Sequence, residues 1–142
     1  MQRRLIVWMI ALAAVIAAQN SSHASGAIAV GVPADVARDG AEFQVSFNFK
    51  TTAEAIERAL SKCRAGTSSA TKLCKIMATF NNHCGAEALD PQPGTPGFGW
   101  ALAGSGQEAK DLAMANCRST AGPSRQDACK VVAVGCDGTA KE

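Results

Sequence analysis

The chain alternates hydrophobic and polar positions most regularly in the segment FQVSFNFK, residues 43–50. Phe43, Val45, Phe47 and Phe49 are therefore predicted on one face of a strand, with polar residues on the other face. An alternation of this kind indicates an antiparallel sheet with one buried and one solvent-facing side.

Apolar residues recur at helical spacing in two later segments, EAIERALSKC and EAKDLAMANC, and each segment ends at a cysteine. Thr51 with Glu54, and Ser105 with Glu108, form the S/T-x-x-E pattern of a capping box, in which hydroxyl and carboxylate each bind a free N–H at the helix start. Two helices are therefore predicted to begin and end alike. Paired carboxylates for glycoside hydrolysis are an alternative role for the two glutamates, but capping explains them more simply.

The segments around the two helices repeat as well. A strand-forming C-K-[IV]-[MV]-A follows each helix, beginning at Cys74 and at Cys129, and GAIAV at 26–30 matches GAEAL at 85–89. The residues of the first copy predicted to share one strand face are Cys74, Ile76, Ala78 and Phe80. Each copy therefore reads strand, strand, helix, strand.

This order predicts an α+β fold of two ββαβ repeats, about residues 26–83 and 85–136. The strands are expected to form an antiparallel sheet with two helices on one face, stapled by disulfides. The repeats are expected to make a single domain over residues 25–142.

The first residues predict export. MQRR is basic, and the apolar run Leu5–Ala18 that follows is typical of a secretory signal peptide, predicted over residues 1–24. The small residues Ser22 and Ala24 suit cleavage after Ala24. An uncleaved N-terminal anchor is the less favoured alternative, because the run is short for a membrane span. We expect a periplasmic or secreted protein without a stable membrane anchor after cleavage.

The charge balance changes when that segment is removed. The full chain has 14 basic and 12 acidic residues, and without Arg3 and Arg4 it has 12 of each. Binding to nucleic acid requires a basic surface, since phosphate neutralisation dominates the affinity. A nucleic-acid partner is therefore not expected.

All six cysteines follow the predicted signal peptide, and an even count in an exported chain indicates a disulfide framework. The pairs favoured by the symmetry of the repeats, two closing short loops and one stapling the copies together, are Cys63–Cys74, Cys117–Cys129 and Cys84–Cys136. Six cysteines allow 15 connectivities, so symmetry favours these pairs without excluding others. A zinc site would require closely spaced cysteine pairs and more histidine. No metal or cofactor is expected.

The chain resembles a bacterial secreted family catalogued as domain of unknown function 4189. The resemblance lies in the order of G-A-x-A, a strand, a capped E-A-x3-A helix ending in cysteine, and C-[KR]-[IV]-x-A, twice over between Gly26 and Cys136. It implies a small exported protein with a cysteine framework, and it implies no activity. The chain departs from the family pattern at Ser25, where an aromatic residue is expected before the glycine.

His83 is the one histidine after residue 24 and the candidate for catalysis. A hydrolase would use it as a base oriented by Asp90 or Glu87, but no G-x-S-x-G, H-E-x-x-H or spare cysteine supplies a nucleophile or metal. A turn residue beside a disulfide is the favoured interpretation.

A second candidate is a binding loop, GVPADVARDGAE, which with His83 would present the residues Asp35, Arg38, Asp39 and Glu42. Trp100 and the phenylalanines of residues 43–49 are ligand-groove candidates, but a domain of this size more simply needs its few aromatic side chains in the core.

The favoured function is therefore a small exported interaction module without enzymatic activity, with an unknown protein or envelope component as partner. An inhibitor or immunity-type protein is a narrower form of this hypothesis. A structural envelope component and a hydrolase using His83 are the alternatives.

Overall fold

The computed structural model describes residues 24–142; the predicted signal peptide, apart from Ala24, lies outside the described residues. The elements are β1 Ser25–Gly31, α1 Val36–Asp39, β2 Glu42–Phe49, α2 Thr52–Arg64, β3 Lys75–Phe80, β4 Cys84–Leu89, β5 Phe98–Ala103, α3 Gly106–Ala121 and β6 Lys130–Cys136. Two short 3-10 helices, Ser69–Leu73 and Gln126–Ala128, precede β3 and β6. Between residues 24 and 142, no helix has both the length and the apolar character needed to cross a membrane.

The six strands form two antiparallel three-stranded sheets. The first sheet has the order β2-β1-β3 and the second has the order β5-β4-β6. Each sheet therefore belongs to one ββαβ unit and has the first strand of that unit at its centre. The predicted α+β class and the repeat are confirmed. Instead of the single predicted sheet with both helices on one face, each repeat forms its own sheet, and each helix packs on the sheet of its own repeat.

The two sheets share the register of their strands. Ile28 on β1 lies opposite Ala78 on β3, and Glu87 on β4 lies opposite Ala133 on β6. Immediately after Ile28 and after Glu87 the register shifts, so a bulge occurs at the same place in both repeats. The match supports a position-by-position comparison of the two units.

A bulge in β2 breaks the predicted alternation. The register between β1 and β2 shifts near Asn48, whose φ is 62°. Phe43 and Val45 face the second sheet, whereas Phe49 packs on the opposite side against the α2 cluster. The prediction that Phe49 shares the face of Phe43, Val45 and Phe47 is wrong, because one extra residue in a bulge moves all later side chains to the other face.

The bulge in β3 has the same effect. Ile76 and Cys74 pack with α2, whereas Phe80 belongs to the cluster between the sheets. The predicted common face for these residues is therefore also wrong. Alternation along a sequence gives faces correctly only as far as the next bulge.

Both long helices begin at the predicted caps. In α2 the Thr51 hydroxyl accepts from Glu54 N at 3.2 Å, and the Glu54 carboxylate accepts from Thr51 N at 3.1 Å, which completes the capping box. In α3 the Ser105 hydroxyl accepts from Glu108 N at 3.3 Å, but the described residues show no bond from Ser105 N to the Glu108 carboxylate, so the predicted capping box is only half formed there. The two glutamates thus lie at the start of separate helices in separate repeats.

The elements stack as four layers: α2, the first sheet, the second sheet and α3. Ala27 and Ala29 on β1 face α2, and the intervening Ile28 faces the second sheet. On β4, Ala86 and Ala88 face α3. Small side chains on both sides let each helix lie close to its sheet, and the larger apolar side chains fill the layer between the sheets.

The three disulfides have the predicted pairing. Cys63–Cys74 and Cys117–Cys129 each tie the end of a helix to the start of the next strand. Cys84 and Cys136 are opposite residues on β4 and β6, so their bond lies within the second sheet. It does not staple the two copies together as the symmetry argument supposed, because Cys84 begins the second repeat.

Candidate functional site

The two sheets approach each other closely on one side and leave a groove on the other. β2 lies against β6 and β4. On the opposite side β3 and β5 border a groove of about 450 Å³, here called the Trp100 groove. Its lining residues are Val30, Val32, Leu73, Lys75, Met77, Phe98 and Trp100.

Side-chain size explains the difference between the two sides. On the closed side the ring of Phe47 occupies the space that a Cβ on Gly135 would need. On the open side Leu102 holds the position that corresponds to Phe47, and Phe80 holds the position that corresponds to Gly135. A large ring therefore lies on the open side where the closed side has a glycine. The sheets therefore cannot close there as they do over Gly135.

The Trp100 groove is apolar and accessible. Val32, Leu73 and Met77 are exposed by 40%, 49% and 44%. Trp100 is half-buried, and Lys75 is the one charged residue among the lining residues. Soluble proteins rarely leave large apolar side chains grouped at the surface without a binding role. Trp100 thus lines a groove instead of lying wholly in the core.

The two strands beside the groove differ at their free edges. On β5, Asn116 Nδ2 donates to Trp100 O at 2.8 Å, and the Thr120 hydroxyl donates to Phe98 O at 2.7 Å and accepts from Phe98 N at 2.8 Å. Side chains of α3 therefore satisfy that edge. No side chain in the described part of the chain binds the outer backbone groups of β3. An open strand edge is a template for further pairing.

A buried carboxyl lies on β4, opposite Trp100. Glu87 is the cross-strand neighbour of Trp100 and only 4% exposed, and within residues 24–142 its Oε1 has no hydrogen-bond partner. Loss of hydration raises the pKa of Glu87 to about 7. Ile28 holds the equivalent place in the first repeat, so the second repeat has an ionisable group where the first has an apolar one.

The predicted binding loop is held by its own contacts. The Asp35 carboxylate accepts from Arg38 N at 3.0 Å and caps α1, and Arg38 pairs with Asp39 at 2.6 Å, which lowers the pKa of Asp39. The Glu42 carboxylate accepts from Ser68 N at 2.8 Å. The loop also borders a smaller cavity of about 160 Å³ that adjoins the Trp100 groove at Phe98.

The structure separates His83 from the carboxyls proposed to orient it. Glu87 lies between the sheets, and Asp90 follows the far end of β4. The His83 ring Nδ1 lies 2.8 Å from Asn81 O, and the His83 backbone N donates to Asp137 Oδ1 at 3.2 Å. The proposed pair of base and orienting acid therefore does not form, and His83 lies at the opposite end of β1 from the loop of Asp35.

Asp90 has a different role. It accepts from Arg125 Nε and from Arg125 Nη2 at 2.7 Å each, and from Gln92 N at 3.0 Å. The guanidinium lowers the pKa of Asp90 to about 2. This ion pair ties the β4–β5 loop to the segment after α3. Sequence reasoning missed Arg125 because 35 residues separate the partners.

Asp137, like Asp90, is a buried acid that does not line the Trp100 groove. It is 1% exposed, and burial raises its pKa. Asp137 N donates back to His83 O at 3.0 Å, so the two residues join the end of β6 to the turn before β4. Across the described range, no group of histidine, cysteine and acidic residues is arranged to hold a metal ion.

Fold and groove together define a disulfide-stapled α+β domain of two ββαβ repeats with one open side. The family model described as "Domain of unknown function (DUF4189)" matches residues 25–136, and the chain belongs to that family. No curated protein and no solved structure matches the chain. Three disulfides fit an oxidising environment outside the cytoplasm.

Proposed function

We propose that this domain is a non-enzymatic interaction module that binds a protein partner outside the cytoplasm through the Trp100 groove. The observation that carries the proposal is a group of exposed apolar side chains, Val32, Leu73 and Met77, around a half-buried tryptophan. Tryptophan is among the residues that contribute most to protein interfaces when it lies at the centre of a contact.

The scaffold supports the same conclusion. Cys63–Cys74 ties the 3-10 helix with Leu73 to α2 immediately before the groove strand β3. A disulfide-held surface loses little conformational freedom on binding, so more of the contact energy remains as affinity. Among residues 24–142, neither Glu87 nor Asp90 is a hydrogen-bond partner of His83, so the interaction module is favoured here over the hydrolase alternative.

The test is affinity capture from the envelope and medium of the producing cell. The bait is the oxidised domain of residues 25–142, and the control bait is reduced and alkylated. We expect saturable capture of one protein by the oxidised bait alone. Trp100→Ala should weaken that capture by at least about tenfold, as for a central interface residue.

The repeat supplies a matched control. Met77 lines the groove, and Val132 is its aligned residue on β6, exposed by 50% outside the groove. Met77→Ala should weaken capture, and Val132→Ala should leave it within about twofold, as for an exposed residue outside the contact. Capture that Trp100→Ala and Met77→Ala leave unchanged would place the binding surface elsewhere. Retention in a cell-wall fraction without a protein partner would favour a structural envelope role.

A further inference from the structure

The open edge of β3, beside the groove, has no role in the proposed function. β3 pairs with β1 on one side, and its other side has no partner among residues 24–142. The facing strand β5 is covered at Phe98 and Trp100 by Thr120 and Asn116. The groove therefore offers backbone pairing along one wall only.

Two side chains of β3 line the groove, so the open edge of this strand borders it. Lys75 and Met77 both line it, with Leu73 just before the strand and Trp100 across from them. A strand added to β3 would direct alternate side chains toward Trp100 and leave its backbone bonded to β3. An apolar groove next to an open edge therefore fits an extended peptide.

The charged residues at the groove indicate which side chains such a peptide would carry. Lys75 is the one charged residue that lines the groove, and Lys72, also exposed, lies in the 3-10 helix just before β3. No carboxylate is among the lining residues. An acidic side chain beside Lys75 would be complementary, whereas a basic one would be repelled.

We infer that the partner presents an extended segment that pairs with the open edge of β3, and whose groove-facing side chains, two residues apart, include an apolar one on Trp100 and an acidic one beside Lys75. This inference rests on the proposed function and specifies its ligand. Backbone bonds to β3 supply affinity, and Trp100 with Lys75 selects the sequence.

The experiment uses the oxidised domain of residues 25–142 and two synthetic heptapeptides in which every second residue is threonine. In the acidic peptide the residues between the threonines, which share one face of a strand, are valine, leucine and glutamate, and in the other peptide lysine replaces the glutamate. Trp100 is the one tryptophan after residue 24, so its fluorescence reports binding at the groove. Amide hydrogen exchange over Lys75–Phe80 reports strand pairing. We expect the acidic peptide to slow exchange on β3 by about tenfold or more. The lysine peptide should bind at least about tenfold more weakly.

A charge reversal provides the matched control. Lys75→Glu should exchange the preference of the domain for the two peptides. Lys130→Glu changes the aligned lysine of β6, which lies outside the groove, and should leave the preference unchanged. Both lysines are exposed, so neither substitution disturbs the core.

Three results obtained with a peptide that binds would overturn the inference. The first is a Trp100 fluorescence change without slower exchange on β3. The second is equal affinity for the two peptides. The third is tighter binding of dodecanoate than of the acidic peptide, again without protection of β3, which would assign the groove to an acyl chain.

If neither peptide binds at millimolar concentration but protein capture still depends on Trp100, the strand-pairing inference fails and the proposed function stands. Loss of that dependence defeats both.

Discussion

Asn81 Nδ2 donates a hydrogen bond to Ser25 Oγ at 2.9 Å, at the place in the first repeat where the second repeat has the disulfide Cys84–Cys136. The shared register of the two sheets aligns Ser25 with Cys84 and Asn81 with Cys136. The same pair of neighbouring strand positions is therefore joined by a hydrogen bond in the first repeat and by a disulfide in the second.

This equivalence predicts that a fourth disulfide can be introduced. The double substitution Ser25→Cys, Asn81→Cys should form a bond without reducing agent and stabilise the domain by up to about 4 kcal/mol, by the loop-entropy estimate for residues 56 apart. Mass spectrometry detects the bond, and chemical denaturation measures the free energy of unfolding. Ser25→Ala with Asn81→Ala is the control. It also removes the bonds of Asn81 Nδ2 to Ala24 O and of Ser25 Oγ to Thr52 Oγ1, so it should cost about 1–3 kcal/mol for three lost hydrogen bonds. Two titratable thiols in the folded double-cysteine variant would contradict the alignment.

Glu87 predicts that the domain is less stable above neutral pH. The folded pKa is raised from 4.5 to about 7, so the folded state holds its proton where the unfolded state has released it. The contribution to stability is complete below pH 4.5 and is lost as the pH rises to about 7, a decrease of about 3 kcal/mol. Urea denaturation at pH 5 and at pH 8 measures it.

The neighbours of Glu87 make this titration simple to isolate. The cross-strand residues are Trp100 and Ala133, and the cluster from the first sheet contains Ile28 and Phe80, none of them ionisable. Glu87→Gln should therefore reduce the difference between pH 5 and pH 8 to the part that Asp137 contributes, since burial raises the pKa of that carboxyl as well. Glu87→Ile, which introduces the residue of the first repeat, should stabilise the domain more at pH 8 than at pH 5. An unchanged pH dependence in Glu87→Gln would assign the effect to another group.

The Asp90–Arg125 pair predicts a loss of stability in acid. The folded pKa of Asp90 is lowered from 3.8 to about 2, so this contribution is present above pH 3.8 and is lost as the pH falls through about 2. Arg125→Gln should lower the melting temperature at pH 7 and have less effect at pH 2. Arg118→Gln, at an exposed arginine of α3, is the control and should change little at either pH. An equal effect of Arg125→Gln at both pH values would show that the ion pair contributes nothing.

The closed side of the sandwich depends on Gly135. A Cβ at that position would overlap the ring of Phe47, so Gly135→Ala should cost about 1–3 kcal/mol as overpacking. A Cβ at Gly104 would point into open space, with no atom of a more distant residue within 4 Å, and Gly104→Ala should be close to neutral. Thermal unfolding of the two variants gives the comparison. Equal melting temperatures would mean that Phe47 moves aside without cost.

The sequence predicted well those features that depend on neighbours along the chain. Thr51 and Glu54 lie three residues apart, so a capping box can be recognised from their spacing. Cys63 and Cys74 close a loop of 11 residues, and repetition of the unit in the second copy indicated the same local bond there. Helix starts, strand order and two of the disulfides were therefore evident from the amino-acid sequence.

The tertiary structure decided everything that depends on how the two repeats meet. The bulge at Asn48 moved Phe49 to the α2 face, and no residue pattern marks that insertion. Glu87 and Ile28 occupy equivalent positions, yet only the packing of one sheet on the other buries the carboxyl opposite Trp100. The sequence by itself determined two ββαβ units, because their bonds are local. The groove arises only in three dimensions, because its depth is set by side chains from strands distant along the chain.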